Sequence, residues 1–384
     1  MIDSKSRIEC IERLDDVPAA DWDSLERGGN PFLSHDFLAG LERHGCLERH
    51  GWYPRHLLIR QHTQLLAALP LYLRDNSFGE FVFDWSWADA HERAIGPYYP
   101  KLVSAVPFTP VTGPRLLLHP QAEQPQQLRQ LLLQEATALA ERDGLSSLHV
   151  LFPDSDDPAF AASGLQLRRG CQYHWFNDGY ADFDDFLARL NSKRRKEIRR
   201  ERRSVRDSNL QIEQLRGSAI EARHWNVFYD FYRSTFERKW GEPRLTPDFL
   251  HSLGRSASSE PLLILAHDGS EYVAGALALI GEKSLYGRHW GCQTGYRNLH
   301  FELCYYQTID FCIEQGLRHL DAGAQGEYKI SRGFVPVATR SYHWLRDRRF
   351  SRAVTDFLQR ERPLVDNYIA ELGRHTAYKR GSSD

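Results

Sequence analysis

Apolar positions fall into the same rhythm twice along this chain. The first copy opens with Ser34-His35-Asp36-Phe37-Leu38 and Leu41, the second with Thr246-Pro247-Asp248-Phe249-Leu250 and Leu253. Spacings of three and four predict one face of a helix in each. Ser34 and Thr246 offer a side-chain oxygen to the orphan N–H groups of the first turn, and Pro247 suits the first helical position. Two short apolar runs follow in each copy and predict paired strands: His56 to Ile59 with Leu65 to Leu69, and Leu262 to Leu265 with Val273 to Leu277. The joint His267-Asp268-Gly269-Ser270 is a hairpin signal, because Asp-Gly tolerates positive φ. A helix, a glycine stop and a strand close each copy. These are Leu128 to Arg142, Gly144 and Leu148 to Phe152 in the first, and Tyr305 to Glu314, Gly316 and His319 to Ala322 in the second. Glycine just past the last turn supplies the left-handed cap.

The repeat predicts an α/β fold of two halves, each a mixed, mainly antiparallel sheet flanked by helices. The halves are expected at 1–180 and 181–384. The first carries an insertion over 76–124 rich in Pro and aromatics, and a loop of that length usually has a function. Within it, Phe81, Phe83, Trp85 and Trp87 alternate as in a strand with one buried face. The second half begins with a basic helix: Lys193 to Arg206 holds nine Lys and Arg against Glu197 and Glu201. At 100° per residue Leu187, Leu190, Ile198 and Val205 share one stripe with Arg194 and Glu201. Arg194 is therefore expected to be partly buried, and either paired with a carboxylate such as Glu201 or aimed at substrate. The outward arginines form a solvated face or bind a phosphate-rich substrate or RNA; no interleaved aromatics support base stacking.

Charge and composition narrow the classes. The net charge of −2 gives no general attraction to nucleic acid or membrane, so no DNA partner is expected. The first residues, Met1 to Ser6, form no apolar run, so no secretory signal is expected. No stretch has the length of a membrane span, and a cytoplasmic location follows by default. The six cysteines form no CxxC pair and read as reduced thiols rather than a zinc site. Cys304 and Cys312 sit eight apart in a helical pattern, which suits packing.

Several residues are placed for chemistry. His300 and Glu302 flank the start of the helix that follows the strand Ser284 to Cys292. Glu302 there is either a general base or a favourable acid in a first turn. Asp321 ends a strand, where carboxylates often face a ligand crevice; the alternative is a cap on the Gly323 turn. His289 lies late in the preceding strand and is a further candidate for the cleft. Lys101 and Arg115, in the insertion, are candidates for the acceptor side.

The order of elements resembles the GNAT acyltransferase half-domain, and its doubling resembles the FemABX family of tandem GNAT transferases. The resemblance is carried by the basic run Lys193 to Arg200, by Asp321-Ala322-Gly323-Ala324, and by Tyr328-Lys329-Ile330-Ser331-Arg332-Gly333-Phe334. Longer segments are similar to the FemAB-like predicted N-acyltransferases of bacteria: Gly79 to Trp85, Tyr98 to Lys101, Phe108 to Arg115, His300 to Tyr306 and Gly323 to Glu327. The resemblance implies a cationic role toward substrate phosphate or a developing oxyanion for Lys329 and Arg332, with Glu327 and Tyr328 as base and acid candidates. It also implies an active cleft mainly in the second half, and two tandem GNAT-like domains. The usual GNAT pyrophosphate loop, (Gln/Arg)-x-x-Gly-x-(Gly/Ala), is replaced here by Gln293-Thr294-Gly295-Tyr296-Arg297-Asn298-Leu299-His300, and no sustained heptads mark a coiled-coil arm.

The expected function is N-acyl transfer from an activated donor, acyl-CoA in the first place, to a small-molecule or peptide amine, with no permanently bound cofactor. Two alternatives stand beside it. One is transfer from aminoacyl-tRNA to a cell-wall or peptide acceptor. The other is a non-catalytic RNA-binding protein on a GNAT frame.

Overall fold

The computed structural model of the chain describes residues 6–238, 241–293 and 295–379. Met1 to Lys5 of the N-terminal reading, and Thr294 of the loop reading, lie outside them. The chain forms two compact units, Met1–Gly170 with Ala338–Asn367 and Cys171–Val337 with Tyr368–Asp384. This division differs from the expected 180/181. The chain passes from one unit to the other in the middle of the strand Gln166–Phe176, at Gly170 and without a break in the strand, and returns in the middle of Val335–Leu345. The long helix Arg348–Arg374 then belongs largely to the first unit.

In the first unit Ser34 Oγ accepts from Phe37 N and starts the helix His35–Arg43, as its cap position predicts. Ser6–Ile11, His56–Gln61, Gln64–Leu69 and Leu117–Leu118 form an antiparallel sheet in that order. The helix Pro125–Arg142 turns Leu128, Leu132, Leu133, Ala136 and Leu139 into one core with Leu57, Ile59, Ala67 and Leu69. Each such leucine contributes about 1.5–3 kcal/mol of burial free energy. Ser147–Leu151 lies parallel to Lys101–Ser104 and antiparallel to residues 341–345.

The insertion corrects two expectations. It is not one long loop, because it contains the helix Trp85–Ala94 and the strand Lys101–Ser104. The aromatic alternation is not a strand either. Phe81 has φ 61°, which breaks any extended run, and Trp85 opens the helix. Trp87 and Tyr98 are buried, whereas Phe81, Phe83 and Trp85 are exposed. Period-two spacing of large aromatics was met by chance inside a turn and a helix start.

In the second unit Gln211–Arg216, Glu260–His267, Tyr272–Ile280 and Ser284–Cys292 pair antiparallel in sequence order, and His319–Asp321 adds parallel to the last. The hairpin at 268–271 is closed by Asp268 Oδ1, which accepts from Ser270 N and Glu271 N. The helix Ala222–Glu237 packs so closely on Ser284–Cys292 that a Cβ on Gly291 would lie 2.1 Å from Phe231 O. The basic segment is a helix of its own, Ser192–Arg206, capped by Asn191 Oδ1 on Arg194 N. The expected stripe from Leu187 onward is interrupted, because Phe183–Arg189 is a separate helix that ends before Leu190. Ile198, Glu201 and Val205 nevertheless face inward together.

Candidate functional site

An opening in the second unit's sheet sets the site. Ser284–Cys292 pairs with His319–Asp321 only as far as Tyr286 opposite Asp321. Beyond that point Gly287, Arg288, His289 and Trp290 have no partner strand on that side among the described residues. A helix over 299–314 lies across the gap and presents His300, Cys304 and Thr308, four apart and hence on one face. A cavity of about 90 Å3 lies between strand and helix, lined by Arg288, His289, Trp290, His300, Cys304 and Ala322 among others. Within the helix Glu302–Tyr306 forms a π turn, with Gln307 N donating to Glu302 O. Such turns are concentrated at functional sites.

Electrostatics keep the two histidines neutral. Burial pulls His289 down to about 4. Burial first, then the charges of Lys329 and Arg332, pull His300 to about 4 as well. A neutral imidazole at neutral pH has a free nitrogen lone pair, which a general base needs. Burial pushes the Cys304 thiol far above its usual range, so it is no nucleophile.

Asp321, at the strand end, accepts from Arg288 Nη2 at 2.8 Å and from Gly323 N at 2.9 Å. Burial acts to raise its carboxyl, but the Arg288 guanidinium and the Gly323 N–H outweigh it and hold the group below the usual carboxylate range. Asp321 thus caps the Gly323 turn, and it reaches the cavity only through Arg288, since it is not itself among the lining residues. Lys329 is buried, and its Nζ donates to Ala322 O at 2.7 Å and Gly323 O at 2.8 Å. Burial pulls it down to about 8, against Asp321. Arg332 donates to Glu201 Oε1 at 2.7 Å, and its guanidinium stands 3.5 Å over the Phe301 ring. Tyr306 donates its hydroxyl to the other Glu201 oxygen. Tyr328 is half exposed, with its hydroxyl 3.3 Å from that of Tyr305. Glu327 is exposed and accepts from Tyr368 OH at 2.5 Å. The 321–332 segment and the start of the 299–314 helix thus share one side of the unit.

Other expected residues lie elsewhere. Glu302 is buried but does not line the cavity of His300; two residues further along the helix, it faces the opposite side, beside Arg202 at 3.2 Å. Arg194 is half-buried as expected, yet it pairs with Glu197 at 2.8 Å and not with Glu201, which Arg332 holds. Lys101 and Arg115 belong to the first unit and are fully buried. Lys101 Nζ is saturated by Ser77, Glu80 and Asp84 at 2.8, 2.8 and 2.6 Å. Arg115 clasps the carbonyls of Val111, Gly113, Pro114 and Leu151. Neither faces an opening, so their expected acceptor-side role gives way to a structural one. Sequence reasoning missed Arg288, and it placed Glu201 inward without its partner Arg332. A charged residue inside an apolar strand, directly before His289, was the available signal for Arg288.

A mixed sheet flanked by helices in each of two units defines the tandem GNAT-like class. The chain belongs to the FemAB-like family, whose model, described as peptidoglycan biosynthesis/recognition, matches residues 13–380. With that membership it is a transferase of the acyl or aminoacyl class. Among solved structures it is similar to FemX, at 10% identity over 91% of this chain and 100% of that one, with a TM-score of 0.54. It is also similar to L-PGS from Bacillus licheniformis, at 12% identity over 88% of this chain and 95% of that one, with a TM-score of 0.53. These likenesses show the shared fold. Compared with curated proteins by sequence, the chain matches none. No helix among the described residues is long and apolar enough to cross a membrane.

Proposed function

We propose that the second unit transfers an acyl group from a thioester of coenzyme A to an amine, with the reacting carbonyl in the opening between Ser284–Cys292 and His319–Asp321. One observation carries this reading: an unpaired strand edge, two neutral histidines and the Arg288–Asp321 pair converge on one narrow cavity. A narrow cleft with an open strand edge suits an extended, amide-bearing thioester arm, whose amides can bond to backbone groups. His300, packed against Trp290 of the strand, takes the proton as the amine nitrogen attacks the carbonyl carbon. The C–N bond forms, negative charge collects on the oxygen, and the C–S bond then breaks, so that the thiolate leaves and takes up a proton. Lys329 spends two of its three N–H donors on Ala322 and Gly323, and the third is available to the developing oxyanion. With Cys304 protonated, transfer is direct rather than through an acyl-enzyme.

The second reading replaces the thioester by aminoacyl-tRNA. Membership of the FemAB-like family and the arginine-rich Ser192–Arg206 helix favour it.

Thermal shift separates the donors, because a ligand that binds only the native state raises its stability. The expected result is stabilisation by acetyl- or longer acyl-CoA, and thiol release in the presence of an amine panel. His300→Ala should lower kcat by about 10²- to 10⁴-fold, the usual share of a general base. A salt-sensitive response to tRNA with none to thioesters moves the donor to the second reading. Full transfer activity in both His300→Ala and Lys329→Ala removes the site assignment.

A further inference from the structure

The basic helix and the far side of the 299–314 helix enclose a second hollow, which the transfer chemistry above does not use. Its volume is about 870 Å3, and its walls include Arg202, Arg203 and Arg206 from the first helix and Glu302, Gln307 and Asp310 from the second. The two ends of this hollow differ in chemistry. Arg202 is committed to Glu302 and to Asp310, at 3.2 and 2.9 Å, and stacks on Phe183. Arg203 and Arg206 are exposed, and their side chains have no ion-pair partner among the described residues. Glu302 is only 4% exposed. Its Oε1 accepts from Gln307 at 2.9 Å, while its Oε2 has no hydrogen-bond donor. A buried carboxylate oxygen without a donor is costly, and native structures seldom leave one without a reason. The hollow thus offers unpaired guanidinium forks near its rim and an unsatisfied acceptor on its wall.

We propose that this hollow binds a phosphate ester whose organic part carries hydroxyl or ammonium groups. Arg203 and Arg206 take the phosphate, for which the planar guanidinium is suited. Glu302 Oε2 accepts a hydrogen bond from the organic part. The site lies on the opposite side of the helix from His300, Cys304 and Thr308, so it is separate from the transfer cavity.

The test is calorimetric titration of the full chain, at low salt, with inorganic phosphate, ribose 5-phosphate and O-phosphoethanolamine. All three should bind, and at least one ester should bind about tenfold or more tightly than phosphate, the worth of one hydrogen bond to a charged group. Preference for ribose 5-phosphate identifies hydroxyl donors; preference for phosphoethanolamine identifies an ammonium. The double variant Arg203→Ala/Arg206→Ala should weaken every probe, with circular dichroism confirming that these exposed changes leave the fold intact. Glu302→Met, which keeps the length of the side chain and removes its acceptors, should erase the advantage of the ester over phosphate. Failure of all three probes to bind, or binding unchanged by the double arginine variant, overturns the proposal. So does equal affinity of the wild type for phosphate and both esters.

Discussion

Glu201 shows how one side chain can organise the site without touching it. It is buried between Arg332 and Tyr306, so it joins the basic helix, the 299–314 helix and the 327–332 segment. Replacing it with alanine leaves the Arg332 guanidinium buried and uncompensated. Glu201→Ala should cost about 3–5 kcal/mol, the range for breaking one partner out of a buried pair, read as a lower urea midpoint at unchanged slope. Glu201→Gln keeps both acceptor and shape and should cost less; equal losses in the two variants would contradict the charge argument. The sequence pointed to Asp321, His289 and His300 by their places at strand ends and a helix start, and to Lys329 by the resemblance of its segment to the FemABX motif. It misplaced Glu302 and misassigned the partner of Arg194. In each case the error came from a long-range partner: Arg332 occupies Glu201 and leaves Arg194 to Glu197, and Arg202 draws Glu302 to the face of its helix opposite His300.

At the next level up, the strand Ser284–Cys292 does two things at once. Its first residues complete the sheet, and its last ones frame the cavity. Gly291 allows the Ala222–Glu237 helix to rest directly on that strand, with the Phe231 carbonyl where a side chain would begin. Gly291→Ala must therefore push helix and strand apart. Its expected cost is about 1–3 kcal/mol, as for overpacking elsewhere, and thermal melting should show it. Shifting the strand should also weaken binding at His289 and Trp290, so a variant with wild-type melting temperature would refute the close packing. Capped helices and the Asp-Gly hairpin were readable because their signals are local: a side-chain oxygen, a proline, a glycine with positive φ. The aromatic run over 81–87 was misread because alternation alone does not reveal a residue forced to positive φ.

Across the molecule, each unit buries a pair of contacting histidines. His149 and His343 meet at 2.6 Å in the first, and His174 and His319 at 3.1 Å in the second. One ring of each pair donates and the other accepts, so the two rings of a pair are never both protonated. Burial chiefly holds His149 at about 3 and His319 at about 4, and it lowers His174 and His343 too. Below the ordinary histidine value of about 6.5 the unfolded chain therefore binds more protons than the folded one. Stability from these groups is complete above that pH and declines as pH falls toward about 4 and about 3, by about 1.4 kcal/mol per pH unit for each extra proton. Urea midpoints should hold level from pH 8 to 7 and drop between pH 6 and 4.5. A midpoint that stayed constant to pH 4.5 would rule out neutral buried pairs.

What the sequence determined by itself was the repeated order of elements, their caps and turns, and hence a doubled α/β frame. These follow from forces acting within a few residues, namely helical and strand periodicity, capping and backbone conformation. Tertiary structure alone decided where one unit yields to the other in mid-strand, that Lys101 and Arg115 are saturated in a core, and that two faces of one helix serve two separate hollows. Those outcomes depend on which distant groups share buried space. Burial and pairing energies between residues far apart in the chain leave no periodic trace along it.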